Sequence, residues 1–182
     1  MVSAADVGKV FDKTVVSNGS GHSCSFGLDP AEKEKQMAAF QQDPSKMAAA
    51  MANGGKIAIP TAISNQLVVD VNVDRDTQSE DQLKAMHAQI GKQVGATDPG
   101  AHGLNDTNQT AKDISGVGDW AFSTNVAAVN MGNGISTRGR MLEAKQGPWH
   151  VTVSATIAPD PGEAKLDTQL ADVARLACAK LK

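Results

Sequence analysis

Residues 149–157 place Trp149, Val151, Val153, Ala155 and Ile157 on one side of an extended chain, and residues 66–73 do the same with Leu67, Val69, Val71 and Val73. Apolar side chains that recur at every second position cannot share one helix face, where neighbours recur at three to four. Each segment is therefore predicted to be a strand with one face in the core and a polar second face, which carries Asp70, Asn72, Asp74 and His150. Residues 119–126 add a third such segment, with Trp120, Phe122 and Thr124 on one side. Residues 135–145 turn at Gln146-Gly147-Pro148 into residues 149–157, an antiparallel hairpin by pattern.

Helical spacing fills much of the rest. Ser3 can cap a helix through about Phe11, with Val7, Val10 and Phe11 on one face. Asp29-Pro30 and Asp43-Pro44 each combine a cap with a proline at the first helical position. Leu83, Met86, Ile90 and Val94 follow Thr77 as a candidate cap, and Leu166, Leu170, Val173, Ala177 and Leu181 form the stripe of a last helix. Residues 17–21 read as a loop by composition, and residues 95–114 as a long polar loop of the kind that is often functional. The order α-β-α-α-β-α-β-β-β-α predicts an α+β fold, a mainly antiparallel sheet covered by helices, in a single domain over residues 1–182.

The chain has 17 Lys and Arg against 20 Asp and Glu, a formal charge of −3, and no block of like charge. Nucleic acid and anionic membrane surfaces call for clustered cations, so neither is an expected partner. No apolar run approaches the length of a membrane-spanning helix. Aromatic residues are 3% of the chain and Tyr is absent, which leaves little material for stacking platforms or aromatic cages.

Cys24 and Cys178 are the only cysteines, and neither sits in a redox or zinc motif. Spacing alone does not separate a disulfide from two buried thiols. The inward parity of Cys24 with Phe26, and the place of Cys178 beside the last helical stripe, favour a bridge. In the chain-entropy picture such a bridge adds up to about 5 kcal/mol. Residues 1–6 have neither a basic n-region nor an apolar h-region, which fits a cytosolic start or a chain from which a leader has been removed.

Several features together resemble a known group: Ser3-Ala4-Ala5-Asp6-Val7, Cys24-Ser25-Phe26, Gly116-Val117-Gly118-Asp119-Trp120-Ala121, the hairpin, and a closing helix that holds Cys178. The chain resembles small bacterial envelope proteins and lipoproteins of unknown function, of the LpqN-like kind with a PsbP-like α/β/α sandwich. The resemblance implies an exported protein, secreted or periplasmic, a sheet packed by helices, and a Cys24–Cys178 bridge. It supplies no catalytic residue and no cofactor.

Each chemical motif has a plainer reading beside it. Gly21-His22-Ser23-Cys24-Ser25 approximates a nucleophile elbow, but an elbow needs a strand before the serine and a helix after it. Asp70-x-Asn72-x-Asp74-x-Asp76 lacks the glycine and glutamate of a calcium loop, and its alternate positions on one strand lie too far apart to chelate. No metal site is expected. His22, His87, His102 and His150 are scattered, and Gly116-x-Gly118 and Gly132-Asn133-Gly134 read as turns. Met37, Met47, Met51 and Met86 read as core, with an adaptable apolar pocket as the alternative. Arg138 and Arg140 share one strand face at a spacing that suits a carboxylate or phosphate, although a solvated face is the commoner outcome. The expectation is a non-enzymatic binding or interaction module, monomeric or weakly dimeric. Its partner would be a small molecule or an envelope protein, held by Trp120, Arg138, Arg140 and His102 beside the long loop. The alternative is a small serine hydrolase that uses Ser23 with His22 or His102.

Overall fold

A computed structural model describes residues 1–31, 66–75, 81–85, 111–126 and 137–181, with residues 34, 38, 79 and 88. The period-two segments form the centre of one antiparallel sheet. Helix α1 (Ala4–Phe11) precedes β1 (Val15–Ser20), β2 (Ser23–Leu28), β3 (Gln66–Arg75), β4 (Ala111–Asp113), β5 (Trp120–Val126), β6 (Arg138–Gln146), β7 (Trp149–Ala158) and α2 (Glu163–Ala179). The strands lie in the order β1-β2-β3-β7-β6-β5-β4. Central β7 pairs with β3 from Trp149↔Arg75 to Ala158↔Gln66, and with β6 from Trp149↔Gln146 to Ile157↔Arg138. The fold is thus α+β with an antiparallel sheet.

Directly paired residues in an antiparallel sheet point to the same side, so the registers assign every side chain to a face. Cys24, Phe26, Leu67, Val69, Val71, Val73, Val151, Val153, Ala155, Leu142 and Ala144 share the first face and are all buried. Helix α2 packs on it over β6 and β7, and α1 packs against α2 and β1. Leu166, Leu170, Val173 and Ala177 are buried as their spacing predicts, and Leu181 is partly buried against them. Among the described residues no helix is long and apolar enough to cross a membrane.

The helix starts follow their caps. Ser3 Oγ accepts from the Asp6 amide at 3.2 Å, and Asp6 Oδ2 accepts from the Ser3 amide at 3.0 Å, a reciprocal capping box. Lys180 Nζ lies 3.0 Å from the same carboxylate and joins the first helix to the end of the last. These contacts, led by the Ser3 amide, hold the Asp6 carboxyl at about 2. Residues 30, 31, 34 and 38 are helical after Asp29-Pro30, whereas the helix expected after Asp43-Pro44 lies outside the described residues. Ser79 caps the segment with buried Leu83, and Thr77, the cap expected from the sequence, lies outside the described residues. Ser79 Oγ accepts from the Gln82 amide at 3.3 Å, and Gln82 Oε1 accepts from the Ser79 amide at 2.8 Å.

Two segments expected to be loops contain strands. Residues 15–20 pair with β2 from Val15↔Leu28 to Ser20↔Ser23, and residues 111–113 pair with β5. Both lie at the sheet edges, where pairing on one side overrides weak strand propensity. The Gly116-to-Trp120 segment is a structural corner. Gly118 has φ 56°, and a Cβ there would overlap the Lys145 carbonyl oxygen. The Asp119 amide donates to that same oxygen at 2.7 Å, and Asp119 Oδ2 accepts from the Gly147 amide at 2.6 Å. This ties the entry to β5 onto the β6–β7 turn.

The Cys24–Cys178 bridge is not formed; both cysteines are free and buried. The physical reason is their place on the sheet. Cys178 Sγ lies beside Gly118, which abuts Lys145 of β6, whereas Cys24 is on β2, three strands from β6. Three strand spacings are roughly 14 Å, about twice the Cα separation a disulfide spans. Burial, with Asp119 nearby, pushes the Cys178 thiol up, away from the reactive thiolate.

Two outcomes follow. The intact mass measured without reductant should equal the fully reduced mass, and loss of two hydrogens would overturn the pairing described. Gly118→Ala should cost about 3 kcal/mol or more by urea denaturation, since it adds a backbone clash to an unfavourable φ. Gly116→Ala, at φ 72° in open space, should cost only about 1–2 kcal/mol.

Candidate functional site

The second face of the sheet is polar, and it is graded. At the β2–β3–β7 side it presents two rows set by register, Ser25–Asp70–Ser154 and Ser23–Asn72–Thr152, whose members are half-buried apart from exposed Ser23. Neighbours in a row are separated by one strand spacing, roughly 4.8 Å, and the rows by two residues, roughly 6.6 Å. At the β6–β5 side the same face is closed over: Phe122, Thr124, Glu143 and Lys145 are buried and Trp120 is half-buried. Between the two zones His150 Nε2 lies 3.1 Å from Glu143 Oε2. The two residues come from adjacent strands and belong to pairs two positions apart in the hairpin register, so they are diagonal neighbours on this face. Trp120 and Phe122 stack at 5.0 Å between centroids with a 39° tilt. The arrangement offers hydroxyls, an amide and a carboxylate to an incoming molecule, next to the His150–Glu143 contact and an aromatic wall.

The residues expected to form one binding site are divided between the two faces. Arg138 and Arg140 alternate with Met141 and Glu143, so they point to the α2 side, and Trp120 points to the polar side. His102 lies outside the described residues. Nor is Arg140 on a solvated face: it is fully buried, and the anions it meets belong to the protein. Its Nε donates to Asp167 Oδ1 at 2.8 Å, one terminal nitrogen to Ser123 Oγ at 2.6 Å, and the other reaches Glu163 Oε1 at 3.1 Å and Asn125 Oδ1. Ser123 Oγ donates onward to Asp167 Oδ1 at 2.9 Å, and Lys112 Nζ stands 3.7 Å from Asp167 Oδ2. Arg138 donates to Asp160 Oδ1 at 2.7 Å, the contact that does most to hold the Asp160 carboxyl below its usual range. The spacing of the two arginines does serve carboxylates, those of α2 and the loop before it.

The elbow reading of Ser23 meets the opposite geometry. Ser23 opens β2 directly after the turn Gly21-His22, so a turn precedes the serine and a strand follows it. Ser23 and His22 are both exposed. Asp70, Asn72 and Asp74 do alternate outward on β3, and no group of three His, Cys, Asp or Glu among the described residues could hold a metal ion. Met37, Met47, Met51, Met86, His87 and Gly132-Asn133-Gly134 lie outside the described residues. Arg75, directly opposite Trp149, stacks over its ring at 5.3 Å on the helix side of the sheet end.

Reading the sequence missed Glu143, Lys145 and Asp167. A signal for the first two existed. A tight turn at Gly147-Pro148 pairs Lys145 with His150 and Glu143 with Thr152, which puts all four on the polar face. For Asp167 the signal was an acid one position along from the apolar stripe, where its partner could come only from another element. Comparison with protein-family models finds none that matches the chain, and comparison with curated proteins finds no significant similarity.

The buried ion pair predicts a specific pattern of stabilities. Arg140→Met strands Asp167 and should cost about 3–5 kcal/mol in chemical denaturation. The double variant Arg140→Met/Asp167→Leu, which removes both charges, should recover most of that loss. Equal or additive losses would show that the pair is not coupled.

Proposed function

We propose that the protein is a non-catalytic binding module of the bacterial cell envelope that holds its partner on the polar face of the sheet. The observation that carries this reading is the pair of half-buried rows, Ser25–Asp70–Ser154 and Ser23–Asn72–Thr152. Hydrogen-bonding groups set at fixed spacing on a rigid sheet are preorganised, so little ordering entropy opposes binding. The open zone ends at a buried charged zone, which gives a partner an orientation as well as a place.

Placement in the envelope rests on the resemblance to LpqN-like proteins, and two reduced, buried thiols suit that compartment as well as any other. The PsbP-like sandwich is part of the same proposal. Buried Phe122, Thr124, Glu143 and Lys145 on the face opposite α1 and α2, together with buried Leu83 in a helical segment, support a second covering layer.

Thr152→Lys and Asn72→Lys each set a long charged chain on the open zone without touching the core. A small molecule or envelope protein that raises the Tm of the wild-type protein should lose that effect in both variants, while their own Tm changes by only a few degrees. Stabilisation that persists in both would remove the polar face as the site. Ester turnover abolished by Ser23→Ala would replace the binding reading with a hydrolase.

A further inference from the structure

A second candidate site lies away from the polar face. Where the end of α1, the end of β7 and the first turns of α2 meet there is a cleft of about 230 Å³. Its apolar walls include Phe11, Ile157 and Pro159, and two lysines, Lys13 and Lys165, stand along it. Both lysines are exposed, and neither is ion-paired among the described residues. The cleft's carboxylate, Asp160, is already engaged, since it accepts from Arg138 at 2.7 Å and from the Gly162 amide at 2.8 Å. The lysines are therefore left with an excess of positive charge.

Gln169 completes the lining and lies one helical turn after Lys165, so the two share a face of α2. Its side chain is nine-tenths buried. The Nε2 donates to the Val10 carbonyl at 3.2 Å, which fixes the orientation of the amide, and the Oε1 is enclosed with no hydrogen-bond partner. A buried acceptor without a donor is unusual enough in a folded protein to call for one.

We propose that this cleft binds a small carboxylate with an apolar body and a hydroxyl group. The carboxylate meets Lys13 and Lys165, the body lies against the Phe11, Ile157 and Pro159 walls, and the hydroxyl donates to Gln169 Oε1. Each group of the ligand answers a feature that the protein's own contacts leave unused. The site is separate from the polar face and does not depend on that face binding anything.

The test uses the whole chain, ¹⁵N-labelled, titrated with 4-hydroxybenzoate, benzoate, phenol, acetate and inorganic phosphate. The proposal expects saturable shifts at the Lys13, Lys165 and Gln169 amides, with 4-hydroxybenzoate tightest, benzoate several-fold weaker for want of the hydroxyl, and phenol weaker again. Lys13→Ala/Lys165→Ala should weaken 4-hydroxybenzoate by about tenfold. Gln169→Leu, similar in volume, should remove its advantage over benzoate. Three results would overturn the proposal: no saturable shift at these amides, equal shifts from acetate or phosphate (charge alone), or a wild-type preference for benzoate. The ligand series decides on wild-type protein even if a variant fails to fold.

Discussion

The alternation along β7 governs what the rest of the chain can do, because β7 is the strand whose register fixes both neighbours. One residue of slip against β6 would carry Arg140 to the polar face and bring Glu143 under α2. The apolar column through Val71, Val153 and Leu142 opposes such a slip, as does the Asp119 contact to the Gly147 turn. A sheet locked in this way has two unlike surfaces. One is apolar enough to hold two helices, and the other is polar and partly buried.

Arg140 breaks the apolar rule of the first surface. A guanidinium placed under a helix is expensive to desolvate, and its pairing with Asp167 repays that cost only when every donor finds an acceptor. Asp167, Glu163, Ser123 and Asn125 together do this. The contribution of such a cluster lies less in net stability than in position. Hydrophobic contacts between α2 and the sheet would tolerate a slide or a roll, whereas a fork of hydrogen bonds to two acids on successive helical turns does not.

The parts of the architecture written in local periodicity were legible. The alternations of β3 and β7 led to the correct faces, Ser3 to the start of α1, and the stripe from Leu166 to Ala177 to the buried side of α2. The misreadings share a physical cause, since each concerned a property set by elements distant in sequence. Ser17-Asn18-Gly19 has loop composition but is paired by β2, and, as a local exception, Ser79 was passed over as a cap although Gln82, three residues on, returns its bond. Trp120 and Arg140 looked like neighbours, and the β5–β6 register sets them on opposite sides of one sheet. Cys24 and Cys178 both point inward, yet inward positions of one core can stand several strands apart. The polar rows depend on three strands drawn from three parts of the chain, and no single segment signals them.

Helix α2 shows how one element divides its tasks. At about 100° per residue, Glu163 and Asp167 fall on one flank, Leu166, Leu170 and Val173 in the middle, and Lys165 and Gln169 on the other flank. The first flank is bound to Arg140 on β6, so the helix axis is held toward that side of the sheet. Its opposite flank then cannot close fully onto the end of α1. The bond from Gln169 to the Val10 carbonyl spans the gap, and the cleft lies along the same flank. The cleft is therefore a consequence of where the buried charges sit: the contact that makes the helix immovable on one side also keeps the other side open.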